Sequence, residues 1–350
     1  RDALRAFAKD SMYEHHTAAE IRRFGRVDAG LGILPPGADS EAILLDLIKD
    51  AVMGIYDPKQ KALLIGAHVS EGQLPMVVGH EIAHGLQDMH FNLQNKQKPL
   101  QGQADAEAAR TMLIEGDAQA SYLAWISGSE GLGQIGDDVL EATNNLTLDI
   151  PSTVDHAILV RSLQMPYAFG TATVARLVQL DGWSAVDKLY QQLPTTSEQM
   201  IHLDKLRSRE PAIPVTPNLD AIATAFPQHN VIWQDTLGEA SLLAMLAEVE
   251  PSVQARKHAG GWGGDRYVAL DRREHPAMVP MIAGALAWDS RADAKEFEPA
   301  FRTYLDRVMP RQYVVERNGS TVVYILRIPD PATRANIAPN LTQLFRVQAS

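Results

Sequence analysis

The chain contains no cysteine in its 350 residues, which removes disulfides, thiolate metal sites and thiol nucleophiles together. Any metal must therefore sit on His, Asp or Glu. Positive charge is also in short supply. A formal net charge of −11 leaves no cationic footprint for nucleic acid and repels acidic lipid headgroups, so no nucleic-acid partner is expected. No apolar run approaches the roughly 18 residues of a membrane span, and no transmembrane segment is expected. The opening Arg1-Asp2-Ala3-Leu4 has neither an initiator Met nor an apolar leader, the pattern of a trimmed or processed chain. The rest is ordinary globular material: 45% hydrophobic and 21% charged residues argue against a disordered or low-complexity protein. The length points to one large domain with an appended subdomain.

Periodicity sketches the organisation. Residues 41–50 carry apolar positions at helical spacing, and 51–67 hold two apolar runs flanking Asp57-Pro58-Lys59-Gln60-Lys61, a β-hairpin. A helix follows over 73–90, with Pro75 in its first turn and apolar residues 74, 77, 78, 82, 86 and 89 as its buried face. A second, Ala-rich helix covers 104–127, interrupted only at Gly116, and the loop 128–137 ends it. Further helices are expected at 154–164 and 170–192, the latter divided at Gly182-Trp183, and the proline-rich stretch 193–219 reads as irregular surface cover. Beyond 236 come a helix at 237–249, a Gly-rich turn at 260–264, strands at 266–270 and 280–288, and a helix at 291–309 capped by Asp289 or Ser290. A hairpin about Asn318-Gly319 follows. The class is α+β: a mainly helical unit over 1–235 with a small hairpin above the helix 73–90, and an antiparallel α+β subdomain over 236–350.

The chemistry concentrates in His80-Glu81-Ile82-Ala83-His84. On a helix, residues i and i+4 share a face, so two imidazoles can reach one metal ion while Glu81, one step round, points at a metal-bound water. Zinc suits this set, because a catalytic zinc site leaves one position open for a water whose pKa falls to about 7. Two residues compete as third ligand. His90 has the spacing of a three-histidine site, but position 87 is Gln rather than the Gly that would turn the chain back. If the helix continues, His90 lies on another face about 9 Å along the axis. Glu115 in Ile114-Glu115-Gly116-Asp117-Ala118, on a helix that can pack beside the first, is favoured. Asp117 would then orient a ligand imidazole from behind.

The run HEIAHGLQDMHF followed by IEGDA resembles a group of bacterial zinc metallopeptidases of the gluzincin type, in which HExxH is joined by a Glu in an EGDA-like motif. Residues 194–202, PTTSEQMIH, are similar to that group's STEQ-plus-His segment, and Gly261-Trp262-Gly263-Gly264-Asp265-Arg266 to its GWGGDR segment. The likeness covers most of 51–300; residues 202–206 read HLDKL where the group has HPEKY. The resemblance implies a zincin-like catalytic domain and an exported zinc peptidase acting on a peptide or protein substrate. It also implies a lipoprotein form anchored through a removed N-terminal segment.

On this reading Glu81 is the general base and His80, His84 and Glu115 hold Zn2+. His202 is the candidate donor to the oxyanion, with a structural role as a pin for the cover segment set against it. Arg266 could do similar work, although Asp265 beside it suggests an ion pair. Tyr167 and Tyr190 are further hydroxyls whose ordinary place is the core. Trp262 among its glycines reads as a tight turn, and no Lys-Ser/Thr follows to make a phosphate loop. The rival readings are a zincin-fold binding or processing factor with little turnover and a chance HExxH on an ordinary helix. The strand Leu63–Ala67 is expected to rim the cleft with a free edge.

Overall fold

The computed structural model describes residues 2–128, 131–274, 276 and 279–348; Ser129 and Glu130 of the expected loop lie outside them. The chain is mixed α and β, with antiparallel sheets. Strands β1 (Gly54–Asp57) and β2 (Ala62–Ile65) form the expected hairpin in a two-stranded sheet of their own. Strand β3 (Val215–Pro217) pairs with β9 (Phe345–Val347), tying the middle of the chain to its C-terminal region. The remaining strands are β4 (His229–Asp235), β5 (Trp262–Arg272), β6 (Met281–Trp288), β7 (Tyr313–Asn318) and β8 (Thr321–Leu326). They make a five-stranded sheet in the order β4-β5-β6-β8-β7. Its first strand thus precedes residue 236.

The central strands β5, β6 and β8 are buried on both faces, and β6 is buried along its whole length, as its Ala/Gly-rich sequence allows. Alternation sorts the side chains. Tyr267, Ala269, Ile282, Leu286, Val322 and Tyr324 face a large core shared with Met112, Leu113 and Ile114 of the helix Ala104–Ser127 and with Phe297 and Phe301 of the helix Arg291–Val308. Val268, Leu270, Ala283, Val323 and Ile325 face a smaller core closed by Phe226, Leu341 and Phe345. Gly284 is there because a Cβ would fall 2.3 Å from the Tyr324 ring on the neighbouring strand.

The helix carrying HExxH runs from Leu74 to Phe91, with Pro75 in its first turn, and stops at Asn92, whose left-handed φ of 58° ends it. We call it the motif helix. Its buried residues are Val77, Glu81, Ala83, Gln87 and Asp88, whereas Leu74, Ile82, Leu86 and Met89 are exposed, Met89 by 77%. Of the six apolar positions expected to mark the buried face, Val77 is buried and Val78 half-buried, whereas the other four point to solvent, and polar Glu81, Gln87 and Asp88 turn inward. The companion helix Ala104–Ser127 runs unbroken through Gly116.

Other expectations shift as well. The stretch 193–219 is not irregular throughout: it folds the short helices Ser197–Ile201 and Leu203–Ser208 and strand β3. Most of the Gly-rich segment is strand β5 rather than a turn; Gly261 takes a left-handed φ of 78°, and Gly264 leaves room for the Ile213 carbonyl, which a Cβ there would meet at 2.2 Å. Ser290, not Asp289, caps the helix Arg291–Val308. The N-terminal helices Asp2–His15 and Ala18–Leu31, the latter opened by a Thr17/Glu20 capping box, lay beyond the periodicity argument. Among the described residues no helix is long and apolar enough to cross a membrane.

Candidate metal centre

The motif helix and the companion helix pack side by side and bring His80, His84 and Glu115 together. His80 Nε2 lies 3.2 Å from Glu115 Oε2, His84 Nε2 lies 3.3 Å from the same oxygen, and the two Nε2 atoms are 3.1 Å apart. A tetrahedral zinc with bonds of about 2.0–2.1 Å requires its ligand atoms to be roughly 3.3 Å from one another, so this triangle has the size that such an ion needs. Among the described residues it is the group of three His, Asp or Glu ligand atoms that could hold a metal ion. The side chains are 12%, 12% and 17% exposed, which leaves an open side toward a cavity of about 200 Å³.

Electrostatics matches the geometry. Burial works against a charged His84, but the charge and hydrogen bond of Glu115, with help from Glu81, override it and push the imidazole up to about 9. Burial likewise opposes ionisation of Glu115, yet the His84 charge and both imidazole contacts hold its carboxyl far below the usual carboxylate range.

A chain of hydrogen bonds fixes the His84 ring. Gln87 Oε1 accepts from His84 Nδ1 at 2.8 Å, and its amide donates to the Ile114 carbonyl at 3.0 Å and to Asp117 at 2.7 Å. The Tyr190 hydroxyl donates to the same Asp117 oxygen at 2.8 Å, and its ring stacks on Phe91 with centroids 4.0 Å apart. Asp117 therefore stands behind the His84 imidazole, but through Gln87. The signal for Gln87 was in the sequence: it sits one turn after His84 on the same face, at the position where a turning Gly is missing. His80 has no such support, and its Nδ1 is buried without a hydrogen-bond partner among the described residues.

Glu81 is buried and lines the same cavity. Burial raises its carboxyl, opposed by the charges of His84 and His80, reinforced by Glu115, and moderated by the Tyr56 backbone N–H that donates to it. Strand β1 comes this close because residue 54 is Gly: a Cβ there would lie 2.7 Å from Val77 and 3.0 Å from Glu81. The Tyr56 hydroxyl continues down to Asp88 at 3.0 Å. The cavity rim is β1, through Gly54, Ile55 and Tyr56; β2, expected there, pairs only with β1 and does not line it.

Tyr167 closes the other side. It lies in a single π-helical turn, Pro166–Gly170, and its ring centroid is 5.8 Å from that of His80. That turn meets the companion helix backbone to backbone, since a Cβ on Gly116 would lie 2.2 Å from the Gly170 carbonyl carbon and one on Gly170 would lie 2.1 Å from the Met112 carbonyl oxygen. The Gly after Glu115 is therefore needed for packing.

Sequence candidates elsewhere have other partners. His202 is not among the residues lining the cavity; its Nε2 donates to the buried Glu239 at 2.9 Å. Arg266 pairs not with Asp265 but with the Gly102 carbonyl, at 2.5 Å. Asp265 accepts from the backbone N–H groups of Leu237 and Gly238 at 2.8 and 2.9 Å and from Trp262 Nε1 at 3.2 Å. Ser197 bonds Asp105 at the start of the companion helix, and the Ala240 N–H donates to Ser197. The two narrower motifs thus make a polar junction that joins the companion helix to the sheet. His90 is exposed at the end of the motif helix, apart from the triangle.

Comparison with known proteins bears on the C-terminal part of the chain. Residues 229–338 match a family described as Domain of unknown function (DUF8575), a span that holds β4 to β8 and none of the triangle. No curated protein and no solved structure matches the chain.

Proposed function

We propose that the protein is a zinc-dependent metallopeptidase. The observation that carries this reading is the His80–His84–Glu115 triangle, of zinc-ligand dimensions, opening onto a cavity that also holds the buried Glu81. When bound there, zinc polarises a peptide carbonyl and lowers the pKa of a water to about 7. Glu81, raised by burial yet next to two imidazoles, is placed to take one proton from the attacking water. As the C–N bond breaks, the hydroxyl stays on the acyl carbon and Glu81 returns the proton to the departing amine. Of the two tyrosines that line the cavity, Tyr56 donates to Asp88, which leaves the Tyr167 hydroxyl to donate to the oxygen on which charge develops. Strand β1 flanks the cavity and positions Glu81 through the Tyr56 N–H.

The test compares wild type with Glu81→Gln, both loaded with zinc, for metal content and for turnover of a quenched-fluorescent peptide library. We expect one zinc in each protein and a loss of about 10²–10⁴ in rate for the variant. Equal rates would remove Glu81 from the mechanism. Zinc without turnover in the wild type would favour a binding factor built on the same site, and no zinc in either protein would end the metal reading.

A further inference from the structure

The β1–β2 hairpin is a partition. Gly54 and Tyr56 face the motif helix, one packed against Val77 and Glu81 and the other reaching Asp88. Strand alternation turns Ile55 the opposite way, into a second cavity of about 600 Å³. Three helices wall it: Asp2–His15, Ala18–Leu31 and Ser40–Ala51. Phe7, Phe24, Leu44 and Ile48 line it, all only half-buried, with Val52 and Ile55. Those last two line the metal cavity too, so the spaces share one wall. An apolar surface of this kind is left without the packing that a core would give it, and its volume is in the range of a ligand site. Burial, with the charge of Asp235, also pushes the carboxyl of Asp28 in this cavity up to about 7, as apolar surroundings do.

We infer that this cavity receives a bulky apolar side chain of the peptide substrate, Leu- or Phe-like, next to the bond presented to the His80–His84–Glu115 triangle. The inference rests on the peptidase reading and specifies its substrate class. The two cavities meet at Val52 and Ile55, so a chain lying along β1 beside Glu81 has this apolar space next to it.

The experiment uses the full chain loaded with zinc and two peptide series that differ only in the residues flanking the cleaved bond, Leu or Phe against Ser. We expect kcat/KM to be about 10- to 100-fold higher for the apolar series, the factor that burial of one large side chain supports. Leu44→Trp, which fills the cavity, should cut that preference at least tenfold, and Ala8→Trp, entering from a different helix, repeats the test if the first variant misfolds by circular dichroism. Equal kcat/KM for the two series, or an unchanged preference in a folded filled variant, overturns the inference while leaving the peptidase reading standing. If no peptide is turned over, that reading fails by itself, and the cavity is tested by calorimetric binding of N-acetyl-phenylalaninamide. Binding weakened tenfold or more by Leu44→Trp supports an apolar-side-chain site, and binding that is absent or insensitive to it overturns the idea.

Discussion

Gln87 holds the His84 ring with one amide group, accepting on its oxygen and donating from its nitrogen to two acceptors. Leucine there would fill similar space and leave Nδ1 of His84 and one oxygen of Asp117 with fewer partners. Zinc affinity of Gln87→Leu should therefore fall by about 10- to 100-fold, read by competition with a chromophoric chelator; unchanged affinity would show that His84 needs no such support. Tyr167 and His202 divide a second question. If the donor at the cavity is Tyr167, Tyr167→Phe lowers kcat by about a hundredfold with zinc retained. His202→Ala, which removes the partner of buried Glu239, should act mainly on the melting temperature; the reverse pattern would return the catalytic role to His202. Asp28 governs a pH effect. Its pKa stands above the unfolded value, at about 7, so the protonated form is the one that the fold prefers. Its stabilising contribution is full below about pH 4 and is lost as pH rises through 7. Asp28→Asn should hence melt at a higher temperature than wild type at pH 8.5, with the gap closing toward pH 5.

At the scale of elements, the close crossing of the companion helix and the π-helical turn sets where Tyr167 sits. Gly116→Ala must push apart two backbones that now touch, and overpacking of this kind costs about 1–3 kcal/mol. We expect a lower melting temperature, together with weaker activity than the stability loss alone explains, because Tyr167 moves with the turn; full activity in a destabilised Gly116→Ala would uncouple the two. Elements of this sort were partly legible in advance. The β1–β2 hairpin, both long helices, the division at Gly182 and the β7–β8 hairpin follow from turn residues and spacing, which are local properties. The proximity of His80 and His84 was legible because i, i+4 spacing on a helix dictates it, whereas that of Glu115 depends on how a second helix packs. The inward face of the motif helix was not, since periodicity detects two faces without saying which one meets the body, and here a cluster of paired polar groups is inside. The roles of His202, Arg266 and Asp265 were hidden for a related reason: each depends on a partner, Glu239, Gly102 or Leu237, that only the tertiary fold brings near.

The molecule as a whole is knit across its length. The large core runs from Val27 and Leu31 through Met112 and Ile114 to Trp288, Phe301 and Tyr324. Arg327 donates to the carbonyls of Ala29 and Gly30, and the Tyr304 hydroxyl to that of Leu31 at 3.2 Å. Among the described residues strand β3 pairs with β9 alone. The region that matches a family, 229–338, therefore has one face of its sheet covered in part by helices from outside that region, such as Ala104–Ser127, and lacks the strand pair β3–β9 beside the other. Expressed by itself, it should bind a dye for exposed apolar surface and give no sharp melting transition; a cooperative transition from that fragment would show that the sheet stands alone. A core that both halves share has a calorimetric consequence. Neither half can melt and leave the other with its apolar surface covered, so the intact chain should give a single endotherm whose van't Hoff and calorimetric enthalpies agree.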